Sequence, residues 1–422
     1  MTLCWRRVTL EQVAAEITVG YVGPMADEYT HSGVPFLRSL NIEPFTINFE
    51  NLKYISHKFH NKIKKSSLYP GDVVIVRTGK PGSCTVVPEW MTESNCSDVV
   101  IVRVGPEIRA EYLSFIINYT ARKYIYAHTV GAVQQHFNVG AARKIKFDLP
   151  SILEQDRILS VLGTLNKKIE LNRQMNETLE ATARALFRDW FVDFGPTRAK
   201  MEGRAPYLAP EIWDLFPDRL DDAGLPEGWS IADVEKEFYI TMGQSPPGDT
   251  YNDENQGLPF FQGKTDFGFR YPENRKYCTH PVRVAQAKDA LISVRAPVGD
   301  INLALDVCCI GRGLAAVRHK TEATSYGFYA LLSIQSELRK FENTGTVFGA
   351  ITKSQFNKIN ILSPSKDLIY IFQHIVNPVD DKIKNNTLES RTLAATRDLL
   401  LPKLMSGEIR VGEAAESVAG VT

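Results

Sequence analysis

The stretch Thr164–Phe194, TLNKKIELNRQMNETLEATARALFRDWFVDF, is the feature that most restricts what this chain can become. Ile158, Leu162, Leu165, Ile169, Asn172, Asn176, Leu179, Ala183 and Leu186 follow one another at alternating steps of four and three. That is the heptad rhythm of a coiled-coil seam. Moving 214 residues along gives Phe372, Val376, Val379, Ile383, Asn386, Ser390, Leu393, Arg397 and Leu400, with the same rhythm and the same polar interruption. Asn at a seam position costs stability and in return fixes register. Two readings stand. Each helix packs on its own domain with Asn at a wet edge, or the two helices pair with each other. Pairing favours the antiparallel sense about a pseudo-twofold axis, because the second helix can run straight back along the first. A parallel return is also open, since residues 195–226 supply a 32-residue connector. Antiparallel pairing centred on the heptads sets Asn172 opposite Asn386. It takes Leu165, Ile169, Leu179 and Leu186 against Val379, Ile383, Leu393 and Leu400. Pro378 is poorly suited to a helix interior. A break is therefore expected there, with Asn377 as N-cap and Pro378 as first helical residue.

The repeat extends beyond the helices. GDVVIVRTGKPGS from Gly71 parallels KDALISVRAPVGD from Lys288, each a β-rich run into a Gly/Pro turn. Gly131, Val133, Lys144, Ile145 and Pro150 match Gly345, Val347, Lys358, Ile359 and Pro364 at the offset of 214. SGVPFLRSLNI from Ser32 matches QGLPFFQGKTD from Gln256 at an offset of 224, so insertions lie within the duplicated unit. Short β-branched runs alternate with amphipathic helical ones, which predicts an α+β domain twice over. The order is a domain over 1–150, a helix over 151–194, a turn-rich connector over 195–226, a domain over 227–364, a helix over 365–412 and a mobile tail over 413–422.

Composition narrows the function classes. The formal net charge is zero overall, but residues 1–150 hold 17 basic and 13 acidic side chains, and residues 151–226 hold 10 and 13. The globular parts are the less acidic ones, which gives weak support to nucleic-acid binding. No apolar run is long enough to span a membrane, and the N-terminus does not read as a signal peptide, so a cytoplasmic location is expected. The 6 cysteines form no C-x-x-C pair, and the five histidines of the first domain lack ligand spacing, so reduced buried thiols and no metal are expected. No [N/D]-P-P-[Y/F] loop, Walker A loop or H-E-x-x-H helix occurs, so the chain is expected to be non-catalytic.

ARALFRDWFVDFGPTRAKMEGR, LFPDRL, LPEGW and LLLPKLMSGEIRV, together with GVPFLRSLNI and the domain–helix–domain–helix order, closely resemble type I restriction–modification specificity subunits. The resemblance covers essentially the whole chain. It implies two target-recognition domains, each binding one part of a split, asymmetric DNA sequence, and paired helices that act as spacer and docking platform. Two modification subunits would carry S-adenosylmethionine and adenine methylation. Restriction subunits would add ATP- and Mg2+-dependent chemistry. Alternatives are a self-sufficient DNA-modifying enzyme, which would act on DNA alone with cofactors, and a coiled-coil adaptor that binds no DNA.

DNA readers need phosphate-facing cations and base-edge donors. The richest basic run, HKFHNKIKK, offers Lys58, Lys62, Lys64 and Lys65 as a phosphate track, or else a solvated helix face. Loops after β-runs offer Arg77, Thr78 and Lys80, then Gln134, Gln135 and His136 in the first domain. Gly79 and Gly82 are expected to let the backbone approach closely. Arg77 could equally pair with Asp72 or Asp98. The second domain offers Gln262, Lys264, Arg295, Arg312 and Lys353. Gln suits adenine, and Arg or Lys suits guanine. Finally, Phe187, Trp190, Phe191 and Phe194 crowd the end of the first helix. They anchor a modification subunit or pack on the chain's own second domain.

Overall fold

The computed structural model describes residues 5–128, 136–343, 349–409 and 411. They form two compact units, Met1–Asn172 with Leu388–Thr422, and Arg173–Thr387. The unit boundaries fall inside the two long helices, so each unit holds one globular part and one stretch of each helix.

The duplicated sequence folds into duplicated sheets. In the first unit an antiparallel sheet runs Cys84–Val86, Val73–Val76, Val99–Val104, Ala14–Val19. A five-stranded sheet runs Tyr29–Thr30, Lys53–Ile55, Val34–Leu37, Ser94–Cys96, Ser67–Leu68. In the second unit the same two orders return, as Ile301–Leu303, Ala290–Ser293, Leu314–His319, Phe238–Met242. Its second sheet runs Tyr251–Asn252, Tyr277–Cys278, Leu258–Phe261, Cys308–Ile310, Val284–Ala285. Each unit also has a two-stranded ribbon, Arg6–Thr9 with Lys146–Leu149 and Ser230–Asp233 with Asn360–Ser363, and the first adds Ile42–Glu43 with Thr46–Ile47.

The unbroken apolar run VVIV has a physical reason. Alternate residues of a strand face opposite ways. Val73 and Ile75 enter the core shared with the long helices, whereas Val74 and Val76 enter the core under the five-stranded sheet. A strand buried on both faces has no polar side. ALIS repeats this in the second unit, with Ala290 and Ile292 on the helix side and Leu291 on the other.

Helix α1 spans Ile152–Phe191 and helix α2 spans Lys366–Ser406. In the first unit Leu162 and Leu165 share a core with Leu393, Leu400, Leu401 and Leu404, and Ile169 packs on its edge. Asn166 accepts from Arg397 at 2.8 Å, and Asn172 donates to Glu389 at 2.6 Å and to Ser390 at 3.3 Å. In the second unit the Asn386 amide donates to Asn176 at 2.9 Å, and Asn176 in turn reaches Thr387 at 3.4 Å. Leu179, Leu186 and Val379 pack against that unit's core, in which Ile383 is fully buried. Within each unit one helix index rises as the other falls, so the pairing is antiparallel. The seam asparagines are buried rather than wet, and Asn386 is hydrogen-bonded to Asn176, one turn on from Asn172.

The expected break at Pro378 does not occur: α2 is continuous through it. Pro378 and His374, whose carbonyl loses its i+4 donor, both lie on the exposed face, where water replaces the missing bond. Buried Phe372, Val376 and Ile383 hold the helix to the core on either side. Asn377 does not cap; it bridges Gln373 at 3.3 Å and Asp381 at 2.8 Å on one helix face. Cys84, Cys96, Cys278, Cys308 and Cys309 are free and buried, and burial pushes the Cys84 thiol up to about 12. Among the described residues, no helix is long and apolar enough to cross a membrane.

Candidate nucleic-acid interface

Three strand ends converge in each unit. In the first, these are β1 (Val34–Leu37), β2 (Val73–Val76) and β3 (Ser94–Cys96). In the second they are β4 (Leu258–Phe261), β5 (Ala290–Ser293) and β6 (Cys308–Ile310). β4 and β6 run parallel with Phe261 beside Ile310, so both end at the same edge, where Gly311 N–H donates to the Phe261 carbonyl at 2.8 Å. The end of β5 joins them through Val294 N–H to the Gly313 carbonyl at 2.9 Å. Gly313 must lack a side chain there, because a Cβ would stand 2.4 Å from the Gln262 carbonyl oxygen.

The three ends enclose an open cavity of about 640 Å3 lined by Gln262, Lys264, Thr265, Arg295 and Arg312, with small residues between them. Four residues nominated from sequence therefore meet in one place. Lys353 begins the helix Lys353–Asn357 and does not line it. Gln262, Lys264, Arg295 and Arg312 are exposed. Lys264 forms an ion pair with Asp300, which also holds Arg339 at 3.2 Å. Among the described residues, the guanidiniums of Arg295 and Arg312 have no hydrogen-bond or ion-pair partner.

The first unit repeats the scaffold bond for bond. β1 and β3 are parallel with Leu37 beside Cys96; Ser97 N–H donates to the Leu37 carbonyl at 3.0 Å, and Arg77 N–H to the Asp98 carbonyl at 3.4 Å. The lining of its cavity, about 440 Å3, differs: Arg38, Ser39, Glu43, Thr78, Lys80, Ser97 and Asp98 are its polar side chains. Thr78 and Lys80 were nominated from sequence. Arg77 is not in the lining; it is half-buried, donating to the Phe137 carbonyl at 3.2 Å and standing 3.9 Å from Asp98. It orders the loop, as the internal alternative held. Asp72 instead lies 3.5 Å from Arg103. His136 meets Thr78 at 3.1 Å, while Gln134 and Gln135 lie outside the described residues.

At Gly79 a Cβ would meet no other part of the protein within 4 Å, and its φ of +85° is what the turn requires. Lys58, Lys62, Lys64 and Lys65 are exposed on His57–Lys62 and the following tight turn, outside the cavity lining. Arg38, Glu43 and Asp98 were missed. The signal for Arg38 was present, because the offset of 224 aligns it with Gln262.

The sequence pattern described as "Type I restriction modification DNA specificity domain" matches residues 26–181. A putative type I restriction enzyme MjaX specificity subunit of Methanocaldococcus jannaschii is 29% identical over 399 residues, 90% of this chain and 88% of the relative. That likeness runs through both units. Over most of its length the chain is similar to type I restriction–modification specificity subunits. The HindI specificity subunit of Haemophilus influenzae is 27% identical over 325 residues, 63% of this chain and 69% of its own. The crystal structure of the S subunit of a type I system from M. genitalium covers 95% of this chain and 96% of its own at a TM-score of 0.55 and 14% identity, which concerns the fold.

One expectation for this chain is corrected. Phe187, Trp190 and Phe191 do not present an anchor to a partner. They are 6%, 1% and 3% exposed, packed with Phe372, Tyr326 and Phe216 in the second unit's own core. Phe194 packs on Trp229 at 5.7 Å. Large aromatic faces gain more from a dry internal packing than from waiting on a surface. The same core hides a charge that sequence reading did not find. Arg270, fully buried, donates to Glu180 of α1 at 3.0 Å, to Asp380 of α2 at 3.0 Å and to the Tyr329 hydroxyl at 2.8 Å. Burial opposes its charge, but Tyr329, Asp380 and Glu180 more than offset that and hold the guanidinium above its usual range.

Proposed function

We propose that this chain is the non-catalytic DNA-reading subunit of a type I restriction–modification assembly. Each unit reads one part of a bipartite, asymmetric duplex site, and the paired helices set the spacing. The observation that carries this reading is one scaffold with two linings. The same three strand ends and turn bonds present Arg38, Thr78, Lys80 and Asp98 in one unit, and Gln262, Arg295 and Arg312 in the other. A duplicated reader with different side chains suits two different half-sites. Lys58, Lys62, Lys64 and Lys65 suit the phosphate contacts that position a duplex without reading it. Each helix is roughly 60 Å long, which exceeds a duplex turn of about 34 Å.

Two modification subunits dock on the helices and carry S-adenosylmethionine and adenine methylation; restriction subunits carry ATP and Mg2+. With the aromatic end of α1 buried, docking falls to apolar side chains left exposed on the helices. These are Leu153, Leu171, Leu388 and Leu399 in the first unit and Met175, Tyr370 and Ile375 in the second. The test is to map methylated adenines in cells carrying the chain and its partners, then exchange residues 1–150 for the domain of another such subunit. One part of the recognised motif should change while the other stays. Change in both parts, or in neither, defeats the proposal.

A further inference from the structure

We infer that Arg312, with Arg295 beside it, reads guanine in the half-site taken by the second unit. This rests on the proposed DNA-reading role and adds which residues and which base. The turn after β6 is one residue longer than its counterpart after β3. The register is fixed by matching bonds on both sides. Gly20 N–H donates to the Val99 carbonyl at 2.9 Å, as Gly243 does to Leu314 at 2.8 Å. Tyr21 N–H donates to the Cys96 carbonyl at 2.8 Å, as Gln244 does to Ile310 at 3.1 Å. Between these anchors lie Ser97 and Asp98 in the first unit, and Gly311, Arg312 and Gly313 in the second. Asp98 and Gly313 occupy equivalent places, since each carbonyl accepts from the residue that ends the neighbouring strand. Arg312 is the added residue.

The addition changes the sign of the lining. Arg38 and Lys80 are balanced by Glu43 and Asp98 in the first cavity, whereas Lys264, Arg295 and Arg312 have no carboxylate among the lining residues of the second. Arg295 stands on the next loop, joined to this one by the Val294–Gly313 bond, and takes the place that Thr78 fills in the first unit. A planar, always-charged fork with no internal partner matches the O6 and N7 acceptors of guanine. The first unit has no residue at that place; its neighbouring Asp98 carboxylate suits the cytosine amine and repels O6 and N7.

The test measures binding of the full chain in its assembled complex to duplexes randomised across the recognised motif, at two salt concentrations. For R312A, guanine preference should fall roughly 5- to 150-fold at one position of the second unit's half-site, with the other half-site unchanged. R312K keeps the charge and the fold; it should lose most of that preference while keeping the salt slope. If R312A weakens all sequences alike and flattens the slope, Arg312 is a phosphate contact and the inference fails. Unchanged guanine preference in both variants overturns it too. A wild-type complex with no bipartite preference overturns the DNA-reading proposal itself, an outcome these variants do not produce.

Discussion

The two units share strand order and turn bonds, yet they fasten their globular part to the helix pair differently. In the second unit Arg270 leaves the loop between the strands Leu258–Phe261 and Tyr277–Cys278 and ties Glu180 to Asp380 in a dry core. In the first, the residue 214 places before Asp380 is the neutral Asn166, and its cation comes from the helix instead. Arg397 donates to Asn166 at 2.8 Å and lies 5.1 Å over the ring of Phe45. A cavity of about 340 Å3 remains beside Phe45, Phe115 and Asn166. One scaffold therefore tolerates a fully buried ionic attachment in one copy and, in the other, a polar–aromatic one whose Arg397 pairs with the half-exposed Asp398 at 2.8 Å. A duplication can drift this far because the strands carry the fold and the attachments need only satisfy their own groups.

The largest effect that tests this contrast is at the buried charge. Arg270→Ala leaves Glu180 and Asp380 without their shared cation, and should destabilise the second unit by about 3–5 kcal/mol. Arg397→Ala orphans no buried carboxylate at Asn166, and should cost about 1 kcal/mol. Urea unfolding of both variants checks the ratio. Equal losses would mean that the two attachments are energetically alike, and the contrast would fall. Replacing Arg270, Glu180 and Asp380 together by apolar residues of similar size should recover most of the loss, because the penalty lies in the orphaned charges.

A second effect comes from acid. His319 ends the strand Leu314–His319, where the first unit has Val104. Its ring is 1% exposed, and its Nδ1 accepts from the Thr321 N–H at 3.3 Å, which leaves the neutral ring with its proton on Nε2. Burial lowers its pKa from 6.5 to about 4, against the pull of Glu237 at 3.8 Å. Between those values the unfolded chain binds a proton that the folded chain refuses, so stability falls as pH drops through 6.5 and levels off below about 4. The loss approaches about 3 kcal/mol across the window. His319→Gln should flatten the pH dependence of urea midpoints in the second unit. An equally steep profile in that variant would place the acid sensitivity elsewhere.

What was legible in the sequence follows from the range of the interactions. The heptad seam and the strand repeats were legible, because they are periodic and local. Gln262, Lys264, Arg295 and Arg312 could be nominated as loop residues after β-runs, but their convergence depends on which strands pair in parallel, and periodicity does not encode that. Pro378 was misjudged because a local rule was applied without knowing that its helix face meets water while Phe372 and Ile383 are buried. Trp190 and its neighbours were ambiguous for the same reason: hydrophobicity shows that a surface will be covered, not by what. Arg270 was invisible, since its partners lie 90 and 110 residues away.

The smallest effect concerns the seam. Asn386 donates to Asn176 at 2.9 Å and both are nearly buried, so either Ala substitution removes that bond from a buried amide and should cost about 1–3 kcal/mol. The pair of substitutions should cost less than the two singles together, with a coupling of about 1 kcal/mol. In the first unit Asn172 reaches Ser390 at a longer 3.3 Å and has Glu389 as its nearer acceptor. The Asn172–Ser390 cycle should therefore couple by no more than about 0.5 kcal/mol. If the second cycle equals the first, the asymmetry of the seam is not energetic. If the first is zero, the Asn–Asn bond does not hold the register and the apolar positions alone must do so.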